Sequence, residues 1–161
     1  MAFDAYLKLE GVDGEARRAG HEGEIEIMGF SFNGNNPASI GVGSGAGTGK
    51  VTISGFNCTK NTDASSVDLF VAMCSGKHFP EATVTLIKSG GEAEVPYITY
   101  TFKEVFIETF DVGGSAGSET PMENLSLAFG SVNWSYTQQD ETGSATGSFE
   151  GGWDLAQNVK L

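Results

Sequence analysis

Residues Asp63 to Gly91 read DASSVDLFVAMCSGKHFPEATVTLIKSGG, a helix that hands directly into a strand. Thr62 or Asp63 can accept from the first free amides of that helix, and Gly76 supplies a left-handed stop. Between them Val67, Phe70, Val71 and Cys74 recur at helical spacing, which predicts one amphipathic helix over Ala64 to Ser75 with that face as its apolar side. Such a helix has about three turns. Beyond Gly76 the pattern changes to the two-residue period of a strand, and nearly all of the remaining chain keeps it.

Working outward, strands are expected over Phe3 to Leu9, Glu24 to Asn33, Lys50 to Thr59, Ala82 to Ser89, Val95 to Asp111 and Asn124 to Thr137. In the second, the apolar set starts as Ile25 and Ile27 and then shifts phase to Met28, Phe30 and Phe32 beside Gly29. One inserted residue reverses the faces of a strand, so a bulge or a sheet corner is expected there, with Met28, Phe30 and Phe32 turned to the core. The same shift recurs across Gly130, from Leu125, Leu127 and Phe129 to Val132, Trp134 and Tyr136. Two corners favour a closed or nearly closed β-barrel of two packed sheets, mainly β, with one flanking α-helix. The run from Val95 to Asp111 also changes phase and reads as one bent strand or two. Asn33 to Gly49, with glycine at every second position from Gly41, reads as a long extended loop, and Gln138 to Phe149 as a plain surface loop.

No linker interrupts the 161 residues, so a single domain over 1–161 is expected. Lys and Arg total 9 against 21 Asp and Glu, and a net charge of −12 repels phosphate backbones and anionic membrane surfaces. Neither nucleic acid nor membrane insertion is expected. Asp4, Lys8 and Glu10 interrupt the opening residues, so no signal-peptide core forms there. The uncharged run from Ile27 to Gly49 is too rich in Asn and Gly to span a bilayer. Cys58 and Cys74 are too few for a disulfide framework and read as reduced thiols, Cys74 on the helix's apolar face.

Catalytic signatures fail one by one. GAGTGK at Gly45 to Lys50 lacks the first glycine of a phosphate-binding loop, Ser44 standing in its place, and VTISGF follows as a strand where that loop needs a helix. Gly113, Ser115 and Gly117 match a nucleophile elbow, but Pro121 and a strand follow, and His21 and His78 both precede Ser115. His21 and Glu22 begin like a zinc-binding helix, yet Ile25 stands where the second histidine belongs, which leaves His21 a solvated loop residue. Gly76 separates Cys74 from His78, so the pair reads as a buried cysteine and a strand-start histidine. No enzyme, metal or cofactor is expected.

Three stretches in order, AFDAYLKLEGVDGE from Ala2, SGKHFPEATVTLIKSGG from Ser75 and FEGGWDLAQNVKL from Phe149, resemble the Hcp family, the haemolysin coregulated tube proteins of bacterial type VI secretion. The resemblance covers essentially the whole chain. It implies a homohexameric ring with an open lumen and rings stacked into a tube. A contractile sheath ejects that tube, with spike and baseplate proteins as further partners. Effector toxins are carried and chaperoned in the lumen. It also implies assembly in the cytoplasm and secretion without a cleaved leader, and the ending at Leu161 reads as the form without a fused catalytic domain. On this basis Ser31 and Asn33 are the expected lumen contacts, and Gly34, Asn36, Val42, Gly43, Ser44, Gly45, Gly47 and Thr48 form the loop expected to reach a neighbouring subunit. Phage-type tail tubes share the expected architecture and are the nearest alternative. A monomeric ligand-binding β-module, using Trp134 or Trp153, is a more distant one.

Overall fold

The computed structural model describes residues 2–39, 47–88 and 95–161. β1 (Phe3–Leu9) pairs with β2 (Ile25–Ile27), and the chain turns at Met28 into β3 (Gly29–Ser31). Two short ribbons follow, β4 (Gly34–Asn35), β5 (Ala38–Ser39), β6 (Gly47–Thr48) and β7 (Thr52–Ile53), pairing as β4 with β7 and β5 with β6. Next come β8 (Phe56–Asn61), helix α1 (Ser66–Ser75), β9 (His78–Lys88) and β10 (Pro96–Gly113). The chain closes with β11 (Met122–Ala128), β12 (Ser131–Gln139), β13 (Ala145–Asp154) and β14 (Val159–Lys160).

Among the described residues the fold is mainly β with one short helix, as expected, but no closed barrel is found. A barrel has no free strand edges, whereas the ten-stranded sheet runs β14-β13-β12-β10-β11-β8-β3 and ends on an edge at each side, with β1, β2 and β9 branching from it. β10 joins the two arms. Its first half lies between β9 and β12 and its second half beside β11, so the bent strand is one element and not two.

The arms curl over one another around an aromatic cluster. β8 and the first half of β10 are not ladder neighbours, yet the rings of Phe56 and Phe102 lie 5.0 Å apart and those of Phe56 and Tyr100 6.1 Å apart. Phe30 and Phe32 reach the same cluster from the corner after β2, which places the predicted phase shift correctly. Met28 departs from that expectation. It is 60% exposed because it occupies the corner itself, between the strand that feeds β1 and the strand that feeds β8.

The helix ends where the sequence puts it but starts at Ser66, two residues after the expected Ala64, with Ser65 and not Thr62 or Asp63 at its N-cap, and its apolar face is reversed. Leu69, Ala72 and Ser66 are buried, while Val67 is 70% exposed, Phe70 50% and Val71 54%, and Cys74 is exposed as well. A buried polar network sets this rotation. Lys60 Nζ lies 2.8 Å from Glu123 Oε1 and 2.9 Å from Asp63 Oδ1, and it donates to Ser66 Oγ at 3.0 Å. The Ser66 hydroxyl donates to Glu123 Oε1 and the Thr62 hydroxyl to Oε2. A buried ammonium and carboxylate need every one of these partners, so Ser66 must face inward and carries Leu69 and Ala72 with it. At the far end Gly76 takes φ 65°, and its amide closes onto the last turn as expected of a left-handed cap.

Two further expectations change. Asn33 to Gly49 is no structureless loop where it is described, since β4 to β7 pair it with itself. The segment from Gln138 belongs to a hairpin in which Asp140 Oδ1 accepts from the amides of Thr142 and Ser144, a turn tight enough to extend β12 and start β13. The expected strand end at Ser89 lies outside the described residues.

Candidate functional site

Strand register assembles one polar face from residues far apart in sequence. Ser31 pairs with Asn57, Asn57 with Ser126 and Ser126 with Thr109, so a row crosses β3, β8, β11 and the end of β10. The next row is Gly29, Thr59, Asn124 and Asp111. Residues directly opposite on antiparallel strands share a face, and the intervening row of Phe30, Cys58, Leu125 and Phe110 points to the core side. The two polar rows carry hydroxyls and amides and a single charge, Asp111. Thr59 Oγ1 donates to Asn124 Oδ1 at 2.9 Å, and Asn57 Nδ2 donates to the Gly55 carbonyl at 3.1 Å, so these amides are held.

This four-strand patch has an open edge on both sides. Among the described residues β3 pairs only with β8, and β10 beyond Phe106 pairs only with β11. Ser31 is exposed at the first edge, and Asn33 is exposed at the base of the ribbon, where its amide donates to Ser54 Oγ and its carbonyl accepts from the Ser54 amide. Gly34 and Asn36 are exposed in the same arm, and Gly47 and Thr48 form its returning strand β6. Val42, Gly43, Ser44 and Gly45 lie outside the described residues. Asn57, Thr59, Asn124 and Ser126 were not anticipated. Their signal is present in the sequence as the polar phase of two alternating strands, but only the register brings those phases side by side.

Other flagged groups fall elsewhere. His21 is not a solvated loop residue: its side chain is 14% exposed, Nδ1 lies 2.9 Å from Glu24 Oε2, and the ring stacks on Tyr6 at 4.9 Å. The loop after β1 folds back over that strand, fastened where Gly14 donates to the Gly23 carbonyl and Ala16 to that of Glu24, and His21 is carried in with it. Ser115 sits in an exposed turn with its Oγ 3.2 Å from Ser118 Oγ. Gly47 and Thr48 of the glycine-rich motif lie in a strand and not at a helix start. Trp134 is 51% exposed and its ring lies tilted against that of Tyr100, 5.3 Å between centroids. Among the described residues no helix is long and apolar enough to cross a membrane.

The cysteines separate clearly. Cys58 is 2% exposed, and burial pushes its thiol up to about 12 against the weaker opposing pull of Lys60, so it stays protonated and unreactive. Cys74 is exposed on α1 instead of buried. One thiol per chain, the exposed Cys74, should therefore react with dithiobisnitrobenzoate in the folded protein, and the second only after denaturation. Two fast equivalents from the folded protein would contradict this placement.

With fold and face in place, comparison with known proteins settles the class. Residues 6–136 match the family described as type VI secretion system effector, Hcp. The chain is 37% identical over 161 residues to protein hcp1 of Pseudomonas aeruginosa, covering 99% of both chains. Among solved structures it superimposes on a type six secretion system protein with a TM-score of 0.94 and 34% identity, covering 99% of this chain and 100% of that one. Hcp1 from Salmonella typhimurium gives a TM-score of 0.82 at 29% identity, with both chains fully covered. This chain belongs to the Hcp family of type VI secretion proteins.

Proposed function

We propose that the chain is the tube subunit of a type VI secretion system, six copies closing a ring whose inner wall is the polar face of β3, β8, β11 and the end of β10. The observation that carries this reading is that face, nearly uncharged and bounded by an open strand edge on each side. Unpaired edges at opposite ends of one patch allow head-to-tail pairing between copies, and a repeated rotation of that kind closes into a ring. The number six follows from the family. The ribbon of β4 to β7 is a two-stranded arm, marginal on its own in water, and a neighbouring subunit would give it a surface to pack on. Stacked rings form the tube. The sheath, spike and baseplate are its partners in the machine, and the subunit leaves the cell through that machine.

A wall of hydroxyls and amides with few charges offers many weak hydrogen bonds and no strong anchor, which suits a passenger that must be held and then released. Ser31 and Asn33 contact the effector toxin in this reading. Ser31→Gln adds a longer side chain to the wall. Retention of a toxin co-expressed from the same secretion locus should fall by roughly tenfold, equivalent to about 1.4 kcal/mol, while ring mass stays unchanged. Intact rings with normal toxin levels would remove the cargo role, and broken rings would assign Ser31 to the subunit interface.

A further inference from the structure

β10 changes partners at Glu104, pairing with β12 up to Lys103 and with β11 from Phe106. Glu104 makes the bend at φ 55°, a left-handed conformation in which Cβ crowds the backbone. Glycine would turn this corner without crowding, so a glutamate here carries strain that a mere bend does not require. The bend sets the carboxylate against the β11–β12 corner, where Gly130 leaves room: a Cβ at that position would lie 2.6 Å from Glu104 Oε2.

Around the carboxylate runs a groove of about 560 Å³ lined by His78, Pro80, Phe106, Phe129 and Gly130. The His78 and Phe106 rings stand 5.4 Å apart, and Phe129 is braced on Phe102 at 4.6 Å. Glu104 is the one carboxylate in the lining and His78 the one titratable base; Glu104 is exposed, and among the described residues no hydrogen bond or ion pair engages its carboxylate. An unpaired carboxylate between aromatic walls is complementary to a flat cation that donates two hydrogen bonds along its edge and stacks on its face. Guanidinium does both, whereas ammonium offers a point charge.

We propose that this groove binds an arginine side chain presented by a basic segment of a different protein. Charge favours a foreign partner over a second copy: this chain carries −12 overall. Its sequence holds Arg17 and Arg18 as its arginines, and Arg18 is already paired with Asp4.

The test is fluorescence anisotropy on the full chain with a labelled glycine-serine peptide carrying one arginine, against the same peptide with lysine or citrulline. The arginine peptide should bind best, the citrulline peptide should fail, and Glu104→Gln should weaken arginine binding by roughly tenfold, the worth of a charge-assisted pair. Glu104→Gly should abolish binding yet raise the thermal midpoint, because it releases the left-handed strain and so separates lost recognition from lost folding. Equal binding of all three peptides, no effect of Glu104→Gln, or a lowered midpoint for Glu104→Gly would overturn the proposal. So would a loss of self-association in both Arg17→Ala and Glu104→Gln, since that would make a second copy the occupant.

Discussion

Replacing Lys60 with methionine is expected to cost about 3 to 5 kcal/mol, the range for breaking a buried pair by removing one partner. Glu123 would be left 1% exposed with its charge uncompensated. Burial pushes the Glu123 carboxyl up, but hydrogen bonds from Lys60, Thr62 and Ser66 and the charge of Lys60 outweigh it and hold the group below the usual carboxylate range. A depressed folded value fixes the sign of the pH effect. The stability Glu123 contributes is complete above the unfolded value of about 4.3 and is lost as pH falls through the lower folded value. Urea unfolding of the wild type should therefore weaken below about pH 4.3, and Glu123→Gln should make that slope shallower by the share Glu123 contributes. The double variant Lys60→Met with Glu123→Leu should recover much of the single-variant loss, since apolar residues of similar volume often replace a buried pair without penalty. A Lys60→Met loss within experimental error of zero would show that the network does not anchor α1 to β8 and β11.

The second large effect is Phe56→Ala, expected to cost about 3 to 5 kcal/mol as a fully buried aromatic truncated in a packed core. Phe56 is 0% exposed and touches Phe30, Phe32, Tyr100 and Phe102, so it bridges the two arms of the sheet. Deleting the ring opens a cavity between the arms, at the centre of a cluster in which Phe30 and Phe32 also reach Tyr100. Chemical denaturation monitored by tryptophan fluorescence measures the loss. A cost below about 1 kcal/mol, the scale of an ordinary surface-tolerant change, would mean that the arms do not share one core.

How much of this was legible in the sequence depends on the range of the interaction. Local chemistry read well: Gly76 stops α1, the phase shift beside Gly29 is a corner, and Gly130 divides β11 from β12. The rotation of α1 did not, because hydrophobic spacing favoured Val67, Phe70 and Val71 while a buried lysine and glutamate claimed Ser66. That competition left a trace. Phe56, Cys58 and Lys60 share one phase of β8, Glu123, Leu125 and Leu127 share one phase of β11, and register sets the two opposite charges against each other. The hairpin of β12 and β13 was hidden by glycine and serine, whose turn chemistry resembles that of a loop until Asp140 is seen to organise it. Ser31 stood out by alternation, whereas the rest of its face depends on cross-strand neighbours that no single segment reveals.

Assembly is the claim on which the functional reading rests, and native mass spectrometry of the purified wild-type chain, paired with negative-stain microscopy, tests it most directly. A ring subunit gives a six-chain mass that persists on dilution and annuli with a stain-filled centre. A monomer mass at every concentration, with no annuli in the images, would contradict it.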